Sequence, residues 1–183
     1  MVPRSLAGPP CPHITSEQIE VYRAVLAIYL KGSDRVLNLA NITESIDAAD
    51  TACLKGFDTG VAKGSASIIH RIGSSLVADT KIVLVDPDRQ QETIEANDPQ
   101  NLMRKAIDDH QKITDEQLDQ SIKRAFGSGL FTLSEIVFDK KHRQAAVSYS
   151  FVCGGLRGNG NTLVLRKVGH MWKVAKRCGG WVF

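Results

Sequence analysis

The chain has 183 residues, 43% hydrophobic and 23% charged, the composition of one ordinary soluble globule long enough to bury a real core. No apolar run approaches the ~20 residues a membrane helix needs. A net charge of +3 is too small to imply a partner.

The lead-in "MVPRSLAGPPCPH" lacks the 7–15-residue apolar core of an intact signal peptide. It fits a mature start whose leader has been removed, and "VPRS" resembles a protease-cleavage linker. Residues 1–14 therefore read as an extended lead-in or a cloning-derived segment, with Pro9, Pro10 and Pro12 keeping it extended. Residues 15–183 read as a single α+β domain.

Thr15 and Gln18 form a capping box. Ile19, Tyr22, Leu26, Tyr29 and Leu30 then recur at helical spacing with Val25 beside them, and Gly32 ends the helix. Residues 35–41 are a candidate strand, and Asn41-Ile42-Thr43 matches a glycosylation sequon. Residues 44–97 are rich in Gly and Ser and resist assignment, apart from a candidate strand over Lys81–Val85 and a turn over Asp86–Arg89. Asp98 with Pro99 starts a helix whose apolar face is Leu102, Met103, Ala106 and Ile107. A second capping box, Thr114 with Gln117, opens another with Leu118, Ile122, Ala125 and Phe126, ended by Gly127.

The last third is β. Runs at 131–138, 144–153, 161–168 and 171–178 have strand length. The second alternates: Val147, Tyr149, Phe151 and Cys153 on one face, Ser148 and Ser150 on the other. The expected fold class is therefore α+β, with N-terminal and central helices packed on a mainly antiparallel sheet. The carboxyl third supplies that sheet as a four-stranded meander over 131–182, with 35–41 as a candidate fifth strand.

Charge divides the same way. Residues 130–183 hold nine Lys/Arg against two acids, Glu135 and Asp139; residues 1–129 hold fourteen against eighteen. The first reading is an acidic helical half beside a basic sheet half, the second an anion-binding face.

The glycines of "FVCGGLRGNGNTLVL" raise the question of a phosphate cradle. Gly155 to Thr162 has the spacing of a P-loop, but Asn161 stands where the Lys must be, and a strand follows instead of a helix. The stretch reads as a hairpin tip, and Arg157 is the one candidate ligand-binding residue, for an anion. No nucleophile motif is found, no catalytic residue is assigned, and no cofactor is implied. His13, His70, His110, His142 and His170 are scattered, and Glu135 is accommodated by strand alternation. The cysteines, Cys11, Cys53, Cys153 and Cys178, lack metal-ligand spacing, so no metal site is assigned. Their even, spread count suits disulfides in an oxidising compartment, with buried free thiols as the alternative. A Cys153–Cys178 bridge conflicts with the register expected across the meander, which sets Asn161 opposite Cys178. Cys11–Cys53 is the favoured pair.

Residues 129–182, with "SYSFVCGGL-x-G-x-G", "TLVL-x-K-x-G-x-x-WKV" and "CGGW", resemble a group of exported bacterial proteins with no assigned activity. That group has a Cys where this chain has Arg157. The resemblance implies export and carries no catalytic residue. The leading expectation is a small exported binding or interaction module without catalysis, periplasmic or secreted and monomeric by default. Its partner would be a protein or a small-molecule ligand. The alternative is a hydrolase with its site in residues 44–97. The third is anion or single-stranded nucleic-acid binding on the basic sheet, where aromatics interleave with cations but no RNP-like pattern occurs.

Overall fold

The computed structural model describes residues 11–46, 54, 57, 69–77, 81–155 and 157–183. In chain order these form α1 (Ser16–Tyr29), β1 (Leu37–Ala40), β2 (Ile82–Val85), α2 (Pro87–Ala96), α3 (Pro99–Asp108), α4 (Asp115–Ser128), β3 (Leu130–Leu133), β4 (Val137–Phe138), β5 (Gln144–Val152), β6 (Gly158–Val168) and β7 (Met171–Val182). Among the described residues the strands make one seven-stranded sheet in the order β2-β1-β3-β5-β6-β7, with β4 also on β5. The fold is α+β and the sheet is mostly antiparallel.

Both expected capping boxes are present, with the Thr15 and Thr114 hydroxyls each accepting from the N3 backbone N–H. α1 lays Val21, Tyr22, Val25 and Leu26 against the sheet, and Gly32 at φ +75° turns the chain away after it. The opposing sheet face supplies Leu39, Phe131, Leu133, Val147, Phe151, Leu163, Leu165 and Trp172, all in one buried cluster with α1. Cys153 belongs to it, as the alternation of β5 requires, and Tyr149 packs against it half-buried. The other face is different: Ala146, Val164 and Cys178 are covered by Leu54, with Ile46, Phe57 and Val137 at the margin.

The sheet is larger and more mixed than a meander with one added strand. β1 forms within the expected 35–41 but lies between β2 and β3, parallel to both. The run 131–138 is two short strands, both antiparallel to β5, interrupted at residues 134–136. There Ser134 turns its hydroxyl back to accept from the Ser148 N–H at 2.8 Å, and the Glu135 N–H donates to the Glu44 carbonyl at 2.6 Å. The register of β6 on β7 begins as expected at Val168↔Met171, then shifts between Val164 and Leu165, so Thr162 rather than Asn161 faces Cys178. An extra residue on β7, Ala175, causes that shift.

The helices hold two more corrections. Asp86–Arg89, expected as a turn, starts α2: the Asp86 side chain accepts from the Arg89 N–H and Pro87 occupies the first turn. The apolar face expected on α3 is not buried, for Ile107 is 72% and Met103 41% exposed. The expected lead-in also enters the fold sooner. Residues 12–14 are tied down by the Arg71 N–H donating to the Pro12 carbonyl and the Ile14 N–H to that of Arg71. No helix among the described residues is long and apolar enough to cross a membrane.

Candidate functional site

Four hydroxyl side chains occupy the face of the sheet opposite α1. β5 contributes Ser148 and Ser150, β3 contributes Thr132, and β6 contributes Thr162. Cross-strand register makes Thr132 the partner of Ser150, and Ser148 the partner of Thr162. Their oxygens lie 2.8 Å and 2.6 Å apart, and Thr132 also donates to Glu44 Oε2 at 3.0 Å. Cross-strand hydroxyl pairs of this kind stabilise a sheet modestly. Here they also floor a cleft of about 450 Å³, walled by Glu44 and Ser45 on one side and Gly179 to Trp181 on the other.

Trp181 reaches the cleft because β6 has glycines beneath it. A Cβ on Gly160 would stand 2.5 Å from Trp181 Nε1, and one on Gly158 would stand 3.0 Å from the same indole. The glycines that resembled a phosphate cradle thus serve a close approach of an aromatic ring. The hairpin tip is shorter than the sequence suggests, since β6 already begins at Gly158. Trp181 remains 36% exposed, with the Phe183 ring 4.7 Å away.

A second polar cluster sits at the break between β3 and β4. Glu135 leaves the strand there and its carboxylate accepts from His70 Nδ1 at 2.9 Å and from the His70 backbone N–H at 3.0 Å. It also accepts from the Thr43 hydroxyl. The Tyr22 hydroxyl donates to the Ser134 carbonyl at 2.9 Å, and burial, with the Glu135 charge adding to it, pushes its pKa far above the ordinary phenol range. Sequence reasoning missed this cluster because alternation was extended through Glu135. The available signal was a carboxylate in an otherwise apolar run. A carboxylate holding an imidazole is two-thirds of a nucleophilic triad. Among the described residues, however, no hydroxyl or thiol is hydrogen-bonded to the other ring nitrogen.

Arg157, the candidate anion contact, closes the β5–β6 hairpin, where its carbonyl accepts from the Cys153 N–H at 2.9 Å. It faces a resident anion, Asp98. That side chain caps α3 through the Gln100 N–H and accepts from the Gly155 N–H at 2.8 Å. Burial alone would raise the Asp98 carboxyl, but these two N–H groups with Arg157 and Arg104 hold it below the usual carboxylate range. Asp98→Ala removes the cap and the loop clamp together and should cost about 1–2 kcal/mol, read as a lower urea midpoint. The lowered carboxyl contributes fully above the ordinary Asp pKa, and less as pH falls through its own value. The gap between parent and variant should therefore narrow below about pH 4; a gap that widened there would contradict it.

The cysteines correct the favoured pairing. Cys11 is free and exposed, Cys153 is free and buried, and Cys178 is disulfide-bonded. Cys53 itself lies outside the described residues. Its neighbour Leu54 packs with Cys178, whereas Cys11 precedes the short pairing of residues 12–14 with Arg71. Burial raises the Cys153 thiol above its ordinary pKa. A thiol reagent added to the native protein should modify Cys11 and spare Cys153; equal labelling, mapped by mass spectrometry, would contradict that burial. Among the described residues no three His, Cys, Asp or Glu side chains are grouped to hold a metal ion. No family model matches this chain, nor does any curated protein or solved structure.

Proposed function

We propose that this chain is a small exported binding module without catalysis, and that its ligand sits in the cleft on the hydroxyl face of the sheet. The observation that carries the reading is the make-up of the cleft. Its size falls within the range of small-molecule pockets. Among the described residues its lining pairs hydroxyls, the Asn161 amide and an indole with one carboxylate, Glu44, and offers no second carboxylate, His, Cys or Lys to act with it as acid or base, while Tyr149 borders it from β5 with its phenol packed against the core on the α1 side. The bridged Cys178 supports an oxidising compartment.

The hydrolase alternative draws on the His70–Glu135 pair, within and beside residues 44–97, but that pair lacks an attacking group among the described residues. The anion and nucleic-acid reading needs cations on the site. Arg166, Lys173 and Lys176 are exposed on β6 and β7, yet they do not line the cleft. The test is an amide and indole NMR screen of the full chain against a chemically diverse small-molecule panel. Shifts at Ser148, Ser150 and the Trp181 indole are expected. Turnover of chromogenic esters, amides or glycosides, abolished in His70→Gln, would overturn the reading in favour of the hydrolase.

A further inference from the structure

The donor directions in the cleft go further than its shape, and with the proposed binding role as their premise they name a ligand class. A carboxylate only accepts hydrogen bonds, and a hydroxyl has one hydrogen to give. Thr132 gives its hydrogen to Glu44 Oε2. In the 2.8 Å contact between Thr132 and Ser150, the hydrogen must then come from Ser150. The chain runs Ser150 to Thr132 to Glu44, and it leaves the Ser150 oxygen as an acceptor. At the Ser150–Glu44 side of the floor a ligand has to bring donors, whereas the Ser148–Thr162 pair, the Asn161 amide and the Trp181 indole can also give hydrogens.

Three classes meet this demand badly. An anion brings acceptors and negative charge to a site that already holds Glu44 and is lined by no cation among the described residues. A purely apolar ligand would cover Ser148 and Ser150 without replacing their water contacts, which is costly. An ammonium ion suits Glu44, but that carboxylate stands at one wall, and the floor between it and Trp181 is hydroxyl, not carboxylate. A neutral polyhydroxylated ring satisfies all parts together. Its hydroxyls donate to Ser150 and Glu44 and exchange hydrogen bonds with Ser148, while its C–H surface packs on Trp181, an aromatic with an apolar body and a polar edge. We infer that the cleft binds a neutral saccharide.

The experiment uses the full, oxidised chain and four sets of probes: neutral mono- to tetrasaccharides, glucose 6-phosphate, choline, and small apolar aromatics. At least one neutral saccharide should shift the Ser150 amide and the Trp181 indole. Trp181→Ala should weaken it at least tenfold, and Ser150→Ala measurably. Trp181 is on an edge strand and partly exposed, so unchanged α1 amide shifts will show that its variant is folded. Binding of a neutral saccharide that survives Trp181→Ala with the cleft shifts absent would overturn the assignment of site. If only glucose 6-phosphate, choline or the apolar probes shift the cleft resonances, the saccharide inference falls and the binding-module reading stands. If no probe shifts them, both fall.

Discussion

Reduction of the Cys178 bridge should produce the largest loss of stability that a single covalent change can cause in this protein. Cys11 and Cys153 are free, so by elimination the expected partner is Cys53. Such a bridge spans roughly 125 residues, and closing so long a loop restricts the unfolded chain by about 5 kcal/mol in the entropic model, with a typical measured range of about 2–5 kcal/mol. Against the 5–15 kcal/mol that holds a domain folded, that loss decides whether the chain is stable at 37 °C. Cys178→Ser should match the reduced parent in urea unfolding, apart from a small cost for the buried hydroxyl. A non-reduced digest should yield the 53–178 cross-linked peptide. A cross-link to Cys11 or Cys153, or a variant as stable as the oxidised parent, would refute this.

Phe131→Ala should be the most damaging of the simple core truncations, at about 3–5 kcal/mol. Phe131 is fully buried, with Tyr29 from α1 at 4.5 Å and Tyr149 at 5.5 Å between ring centroids. Its strand is also where the parallel and antiparallel parts of the sheet meet. β3 pairs with β1 through only two residues, Asn38↔Leu130 and Leu39↔Phe131. The junction therefore depends more on side-chain packing than on ladder length. Asn38 adds to it by donating to the Gly127 and Gly129 carbonyls at the end of α4. Phe131→Leu should lose less, because it leaves a smaller cavity. A loss under about 1 kcal/mol for Phe131→Ala, measured by urea unfolding, would mean that Tyr29 and Tyr149 close the gap.

The sequence exposes those parts of the fold that local chemistry determines. Thr15, Asp98 and Thr114 start helices as their side-chain oxygens and neighbours dictate, and the alternation of β5 identifies its buried face. What it conceals depends on distant partners. α2 carries the same Asp-Pro start as α3, but only Ile94 is buried in it, so no apolar stripe advertises a helix. α3 has the stripe, but Met103 and Ile107 stay exposed and Leu102 and Ala106 are only half-buried. The break at residues 134–136 arises because Ser134 bonds back to β5 while Glu135 turns to His70 and Thr43. Nothing local to "LSEIV" announces partners so far away in the chain. The candidate cleft was half legible. Ser148 and Ser150 were read as one face of a strand, but Thr132 joins them only through the β3–β5 register, Thr162 through the β5–β6 register, and Glu44 through its bridge to Ser134.

β7 is both the longest strand and the last in the strand order, so one side of it has no neighbouring strand among the described residues. Such an edge invites another chain to add a strand, the first step of self-association into fibres. This one is poorly suited as a template. The extra residue near Ala175 and Gly179 at φ +56° interrupt its regular spacing. Lys173, Lys176 and Arg177 stand exposed along it, so an approaching copy of the same strand meets like charge. The irregularity that displaced the register, together with the cations that read as a possible anion-binding surface, makes this edge a poor template for a second copy of the same strand.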